Sequence, residues 1–569
     1  MKKVLNGIVY PALITLAFAA AYFYLFIPAI NLRSFELWAY AVLTIAVYFV
    51  SFGFLAKPKC FAELKEWFKV SLKNAGFDAE SAKSKNNKHH VVKVVGCTSP
   101  MPRWFKITLF ALSSVLVLVL LLGFFTSSKL FRAADYQAML DVKTSDFAED
   151  IAELPISQIP IVDRDTAERL GSRKIGEVVE LVSQFNVSSY YSQINYKNKP
   201  FRVSPLEYAD FLKWISNMGE GIPYYISIDM ATQATELVKL DEGIKYSPSE
   251  YFGRDLNRHI RMNYPTKMFE NLSFEVNDNG HPYWVMSYYD YTFGLFGGKD
   301  IGGIILVDAV TGETEDYPLE SVPQWIDLAY SPELAIAQAN NWGTLKNGFL
   351  NSIFVQRDVV VTTEGYNYIA IDDDVWLYTG ITSVSADESN IGFILINMRT
   401  KEARTYMING AEEYSAMESA QGQIQEKGYL STFPILINVE NRPSYFLSLK
   451  DNAGLVKSYA FVSVTDYQIV GVADTIDGAK AEYLRMLGIN KENADIGITE
   501  TKEGIITAIS SAVKGGNTVY YILLDGEIYT AEITVSDILP FLGAGDSIIF
   551  DTNEDNIIKT IELKNGNSQ

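Results

Sequence analysis

Residues 303–313 read Gly303-Ile304-Ile305-Leu306-Val307-Asp308-Ala309-Val310-Thr311-Gly312-Glu313. The run to Asp308 is apolar and rich in β-branched residues, which suits a strand. Thr311-Gly312-Glu313 then supplies the glycine that a tight turn needs. The same order returns at Gly392-Phe393-Ile394-Leu395-Ile396-Asn397, with Thr400-Lys401-Glu402 at the matching place. It returns more loosely at Tyr459-Ala460-Phe461-Val462-Ser463-Val464. An aromatic strand precedes each: Pro282–Ser287, Val375–Thr379 and Pro443–Ser448. Pro223–Ile228 makes a fourth, partial unit. Helical periodicity recurs between them at Pro332–Trp342, Glu412–Ile424 and Asp477–Leu487. Ser331-Pro332 starts the first of these helices and Gly488 stops the last.

A helix packed on an antiparallel sheet, with strands ending in D-x-x-T-G-E, resembles the PepSY family of extracytoplasmic modules. The residues that carry the resemblance are Gly303–Glu313, Gly392–Glu402 and Tyr459–Gly471. The chain as a whole resembles large membrane proteins of Gram-positive bacteria. The resemblance implies extracytoplasmic binding and the restraint of peptidases. It also implies repeated PepSY/cystatin-like units over residues 221–490.

Upstream lie three apolar stretches, near residues 7–28, 35–56 and 107–126, each close to the ~20 residues that span a bilayer. Lys2-Lys3 and the alanine-rich 17–21 segment also fit a signal peptide, but the apolar run continues through Leu25 and a second span follows. The formal net charge of −20 divides unevenly. Residues 1–132 carry +11 and residues 133–569 carry −31. The segment 57–103 holds ten Lys/Arg against four acids, which places it and the N-terminus in the cytoplasm and exports residues 133–569. Inside the loop, Phe61, Leu64, Phe68 and Leu72 alternate with Lys65, Lys69 and Lys73, a pattern suited to membrane lipid. Both cysteines, Cys60 and Cys97, fall there with His89 and His90, without metal-ligand spacing. The exported part has no cysteine and must fold on its core alone.

The expected class is α+β: three transmembrane helices, repeated helix-on-antiparallel-sheet units and a small C-terminal β-barrel. The expected domains are an anchor (1–132), a helical stalk and connector (133–220), the repeats (221–490) and the barrel (495–569). The connector carries two helical stripes, Ile175/Val178/Val179/Val182 and Leu206/Phe211/Leu212/Ile215. Five short strands, with Gly515-Gly516 and Asp525-Gly526 as turns, read as an OB- or SH3-like barrel. Its acidity and exported position argue against nucleic acid as a partner.

Candidate sites are few. Arg254, Arg258 and Arg261 share a helix face in an acidic domain and suit a carboxylate or phosphate, or pair with the domain's own acids. Tyr283, Trp284 and Tyr288 belong to an aromatic run that lines a groove or fills the core. Asp551, Asn553, Asp555 and Glu562 stand at positions 1, 3, 5 and 12 of a calcium loop with Asn556 in place of glycine, yet their flanks read as strands. Ca²⁺ is the one cofactor the sequence suggests, with a polar hairpin turn as the plainer reading. Asp372-Asp373-Asp374 fits a solvated turn or a cation site. Ser511–Lys514 forms S-x-x-K without the companion motifs of penicillin-binding enzymes. Two histidines and no thiol beyond residue 132 leave little material for a triad or a zinc centre.

The leading expectation is a non-enzymatic envelope protein that binds a protein or peptide outside the membrane, with homo-oligomers compatible and edge-strand addition as the mode. The alternatives are a structural component of a membrane assembly and a cell-wall enzyme using a carboxylate pair.

Overall fold

A computed structural model describes residues 8–56, 103–384, 389–489, 500–514, 517–552 and 556–564. The cytoplasmic-loop residues named above, the Gly515-Gly516 turn, Asn553 and Asp555 lie outside the described residues. The chain divides into two compact units, Met1–Ile476 and Asp477–Gln569.

The first unit opens with the apolar helices Tyr10–Phe26 and Phe35–Ala56, which lie side by side. Tyr22 stacks on Tyr40, and the Tyr40 hydroxyl donates to the Ala19 carbonyl at 3.1 Å. Among the described residues, two windows are helical, long and apolar enough to cross a membrane, Phe35–Phe52 and Val117–Gln137. The expectation of three spans is corrected to two on this test. Tyr10–Phe26 has 17 residues, about 26 Å of helix against a hydrocarbon core of about 30 Å.

Beyond the helices the chain is mostly β, and the expected α+β class is corrected accordingly. The described strands form seven sheets. Four antiparallel sheets build the body of the first unit. The first comprises five strands between Phe185 and Ile244; the second comprises four between Met268 and Pro318. The third has six strands, five of them between Val360 and Tyr406; the fourth has five between Leu430 and Ala473. These sheets are not copies of one free-standing PepSY/cystatin-like unit. The second and third sheets share one core, in which Val285, Ile304 and Leu306 meet Leu377, Ile394 and Ile396. Leu334, Ala335 and Ala339 of the helix Pro332–Thr344 belong to the same core. Neither sheet would bury its apolar face without the other.

The third sheet also takes a strand from outside. Val142–Thr144 pairs in parallel with Ala403–Thr405. The expected helical stalk therefore ends at Gln137, and the chain joins a sheet edge five residues later. Of the second connector stripe, Leu206 lies in the strand Lys199–Tyr208, while Phe211, Leu212 and Ile215 lie in the helix Phe211–Asn217.

The turns follow the sequence closely. Gly312 has φ +79°, and Lys401 takes φ +67° at the matching position. Asp308 and Asn397 each turn a side-chain oxygen to two backbone N–H groups of their own turn. Asp525 and Gly526 have φ +49° and +86°, as a type I′ hairpin requires.

The second unit carries two three-stranded antiparallel sheets, Glu500–Ile505 with Ser547–Thr552 and Ile558–Leu563, and Ala508–Lys514 with Asn517–Leu524 and Glu527–Glu532. They enclose a core of Ile522, Tyr529, Ile548, Phe550 and Ile561. The expected single small barrel is corrected to this pair of sheets, linked by an isolated bridge between Thr530 and Ile557.

Candidate functional site

The predicted binding residues are used inside the protein. Asp255 caps the helix Leu256–Asn263 by accepting from the Arg258 N–H at 2.9 Å. Arg258 and Arg261 of this helix reach backbone carbonyls instead of a ligand, and so does Arg254, which lies before the helix in the short turn Phe252–Arg254 rather than on a shared helix face. Arg254 donates to Met218 at 2.6 Å, Arg258 to Tyr24 at 3.2 Å, and Arg261 to Ile27 at 3.0 Å. Arg258 also lies 4.4 Å over the Tyr24 ring and Arg261 4.1 Å over the Phe269 ring. These contacts fasten the end of the first apolar helix to the second sheet. The tip of that sheet's long hairpin makes a similar joint, where Ser127 Oγ accepts from the Leu295 and Phe296 N–H groups at 3.1 and 2.9 Å. Arg33 donates to the Tyr291 carbonyl.

The aromatic run is core and joint rather than groove. Trp284 is fully buried against Phe274 and Tyr190, and its indole donates to Tyr246 at 2.9 Å. Tyr288 is buried, and its hydroxyl donates to Asp316 at 3.0 Å. Tyr283 is half-buried between His281 and Trp325. The expected partner-binding repeat surface is therefore corrected, because the residues nominated for it are already occupied.

At the calcium-loop candidate, Asp551 and Glu562 lie on the paired strands Ser547–Thr552 and Ile558–Leu563. Both oxygens of Asp551 accept threonine hydroxyls, Thr501 and Thr560, at 2.6 Å. Asn556 has φ +58°, the left-handed turn expected of it.

A different set of polar groups gathers where strands of neighbouring sheets meet. Ser192–Tyr196 contacts Met268–Val276 and Asp374–Ser383, and Asn367–Ile371 contacts Ile435–Val439. Glu275 sits on Met268–Val276 with no exposed surface. It accepts from the Asp327 and Leu328 N–H groups at 2.8 and 3.2 Å and from Ser273 Oγ at 2.7 Å. Asp327, also buried, accepts from the Asn195 N–H at 2.7 Å. Burial pushes Glu275 up to about 7. Burial and the neighbouring Glu275 charge push Asp327 well above the usual carboxylate range. Asp327 Oδ1, Asn195 Oδ1 and Asn438 Oδ1 have no hydrogen-bond partner among the described residues.

Asn195 leads from this pair to a cavity of about 330 Å³, lined also by Gln193, Asn198, Asp372, Asp373 and Ile435. Asp372 and Asp373 have φ +49° and +68° and form the turn before Asp374. Asp374 turns away from solvent. It receives Arg399 at 2.7 and 2.8 Å and Asn397 at 2.8 Å. Burial, Asp278 and Asp374 together raise Asp373, against the opposing pull of Arg399. The triple-aspartate stretch was thus visible in the sequence, but Glu275, Asp327 and Asn195 were not. The one available signal was a carboxylate inside the apolar strand Leu272-Ser273-Phe274-Glu275-Val276.

No family model matches the chain. No curated protein matches it either. Among solved structures, the chain is similar to Bacillus subtilis levansucrase at 9% identity and TM-score 0.17, covering 74% of this chain and 96% of that one. It is also similar to an exo-1,5-alpha-L-arabinanase from a bovine ruminal metagenomic library, at 11% identity and TM-score 0.15, covering 68% and 100%. At these scores neither likeness establishes a common fold.

Proposed function

We propose that the chain is an enzyme held at the cell envelope by its apolar helices, working by carboxyl acid–base chemistry on a polyhydroxylated substrate. The reading is carried by one observation: Asp372 and Asp373 line the cavity together with Asn195, whose N–H is held by the buried Asp327 beside Glu275, and the next carboxyl, Asp374, is paired to Arg399. Burial and the nearby carboxylates Asp278 and Asp374 raise the Asp373 carboxyl, the direction that suits a general acid. Asp373 faces the cavity and would donate the proton. Asp372 is the second carboxyl there. Asn195, Gln193 and Asn198 offer amide donors and acceptors matched to hydroxyls, beside the apolar Ile435. Glu275 and Asp327 are sealed from the cavity and act through Asn195 as positioning residues. The basic segment 57–103 supports an orientation with residues 133–569 outside.

The test is reducing-end release by the detergent-solubilised full chain from a panel of bacterial and plant polysaccharides. The expected result is hydrolysis that Asp373→Asn lowers at least 100-fold in kcat with an unchanged melting temperature. Full activity in that variant, or no product from any polysaccharide, would overturn the proposal.

A further inference from the structure

The seven-residue helix Phe211–Asn217 is apolar on the wrong side for a soluble protein. Asp210 caps it by accepting from the Leu212 and Lys213 N–H groups at 2.8 and 3.0 Å. Trp214 points inward, where its indole donates to the buried Glu250 at 2.6 Å. That fixed rotation leaves Phe211, Leu212, Ile215 and Met218 facing out, with Leu212 70% exposed. Phe252, 59% exposed, extends the same surface, its ring 5.8 Å from Trp214. Five large apolar side chains on one rigid patch call for a covering partner.

The arginines identify what covers it. Arg254 holds the Met218 carbonyl, and Arg258 holds both the Phe252 carbonyl at 2.6 Å and the Tyr24 carbonyl. Tyr24 lies in the last turn of the helix Tyr10–Phe26, which is packed beside Phe35–Ala56. The patch is therefore tied directly to the end of the apolar helix pair, where lipid headgroups meet acyl chains. Short helices with an outward apolar face lie in that layer, and Tyr24 is an aromatic side chain of the kind enriched there.

We propose that Phe211, Leu212, Ile215, Met218 and Phe252 form a second membrane contact, resting on the lipid surface crossed by the helix Phe35–Ala56. This rests on the reading of that helix as a membrane span. The occupant is the bilayer itself, because the patch continues the lipid-facing surface of the helix pair through Arg258.

The test uses the full chain with Cys60 and Cys97 replaced by serine and a bimane label at Leu212→Cys, in phosphatidylcholine–phosphatidylglycerol (3:1) nanodiscs. Ile215→Cys serves as a second site and Val42→Cys as the reference within the span. Brominated acyl chains are expected to quench the Leu212 and Ile215 labels at least twofold, as they quench Val42. Quenching at Val42 with none at either patch site would overturn the proposal and leave the span intact. No quenching at Val42 would overturn both. A patch label shielded from aqueous iodide yet untouched by brominated lipid would mean that protein covers the patch, which also overturns the proposal.

Discussion

The guanidinium of Arg261 reaches back 234 positions in the chain to the carbonyl of Ile27, 3.0 Å away. A second donation, from the same guanidinium to Lys267, closes the joint. Both carbonyls belong to backbone that has left its helix or has not yet entered its strand, so neither has a regular partner.

Arg261→Ala should therefore destabilise the first unit by roughly 2–4 kcal/mol, since it orphans two carbonyls and empties a buried site over Phe269. Arg261→Lys should recover only part of this, because one ammonium cannot serve both carbonyls and stack as well. Urea unfolding of the detergent-solubilised chain measures both. Equal stability of wild type and Arg261→Ala would show that the joint carries no strength.

Glu275 makes stability depend on pH in a direction opposite to most carboxylates. Its folded value, about 7, lies above the ordinary 4.5. Between those values the folded chain holds a proton that the unfolded chain has released. Its contribution is full below pH 4.5 and is lost as pH rises to about 7, by roughly 3 kcal/mol in total. Asp327, raised as well, adds in the same direction. The difference in urea midpoint between wild type and Glu275→Gln should move against wild type from pH 5 to pH 8. A difference constant with pH would contradict the raised value.

Asp374 and Arg399 form a bidentate pair, with side chains only 12% and 19% exposed. Asp374→Ala should cost about 3 kcal/mol, mostly because Arg399 and Asn397 are left unpaired at a desolvated site. Replacing both partners by apolar residues should cost less than replacing Asp374 alone. A double-mutant cycle by thermal unfolding decides between them.

The two matched turns should respond differently to alanine. At Gly312, φ is +79° and a Cβ would lie 2.3 Å from the Tyr246 ring. Gly312→Ala should lower stability by about 2 kcal/mol or more from strain and overlap combined. Lys401 already carries a Cβ at φ +67°, so Lys401→Ala adds no backbone strain; it loses the ion pair with Asp300 and the contact over the Tyr330 ring and should cost about 1 kcal/mol. Melting temperatures of the two variants should fall in that order.

What the sequence revealed depended on how local the cause was. Gly312, Asp525-Gly526 and Ser331-Pro332 act within four residues, and each turn or cap stands where it was read. Leu206 does not belong with Phe211, Leu212 and Ile215, because it stands five residues before Phe211 and upstream of Asp210, the cap that starts the helix. Val142-Lys143-Thr144 is too short and too polar to announce a strand, and its partner lies at Ala403. The arginine face at Arg258 and Arg261 was visible as an oddity in an acidic region. Its purpose was not, because it answers carbonyls in a segment near residue 25. Glu275 was hidden for the same reason: its proton affinity arises from burial, and the backbone that meets it at Asp327 lies 52 positions away.

The parallel pairing of Val142–Thr144 with Ala403–Thr405 also sets the order in which the chain can fold. A chain that emerges from its N-terminal side presents residues 142–144 first. That short strand must wait for some 260 further residues before its partner arrives, and the helix and two sheets of the shared core are delivered in between. Such long-range closure raises contact order and slows folding. Completion of the third sheet is thus the late step of assembly, and the open edge beside Ala403 is the place where a partly folded chain is most exposed to misassociation.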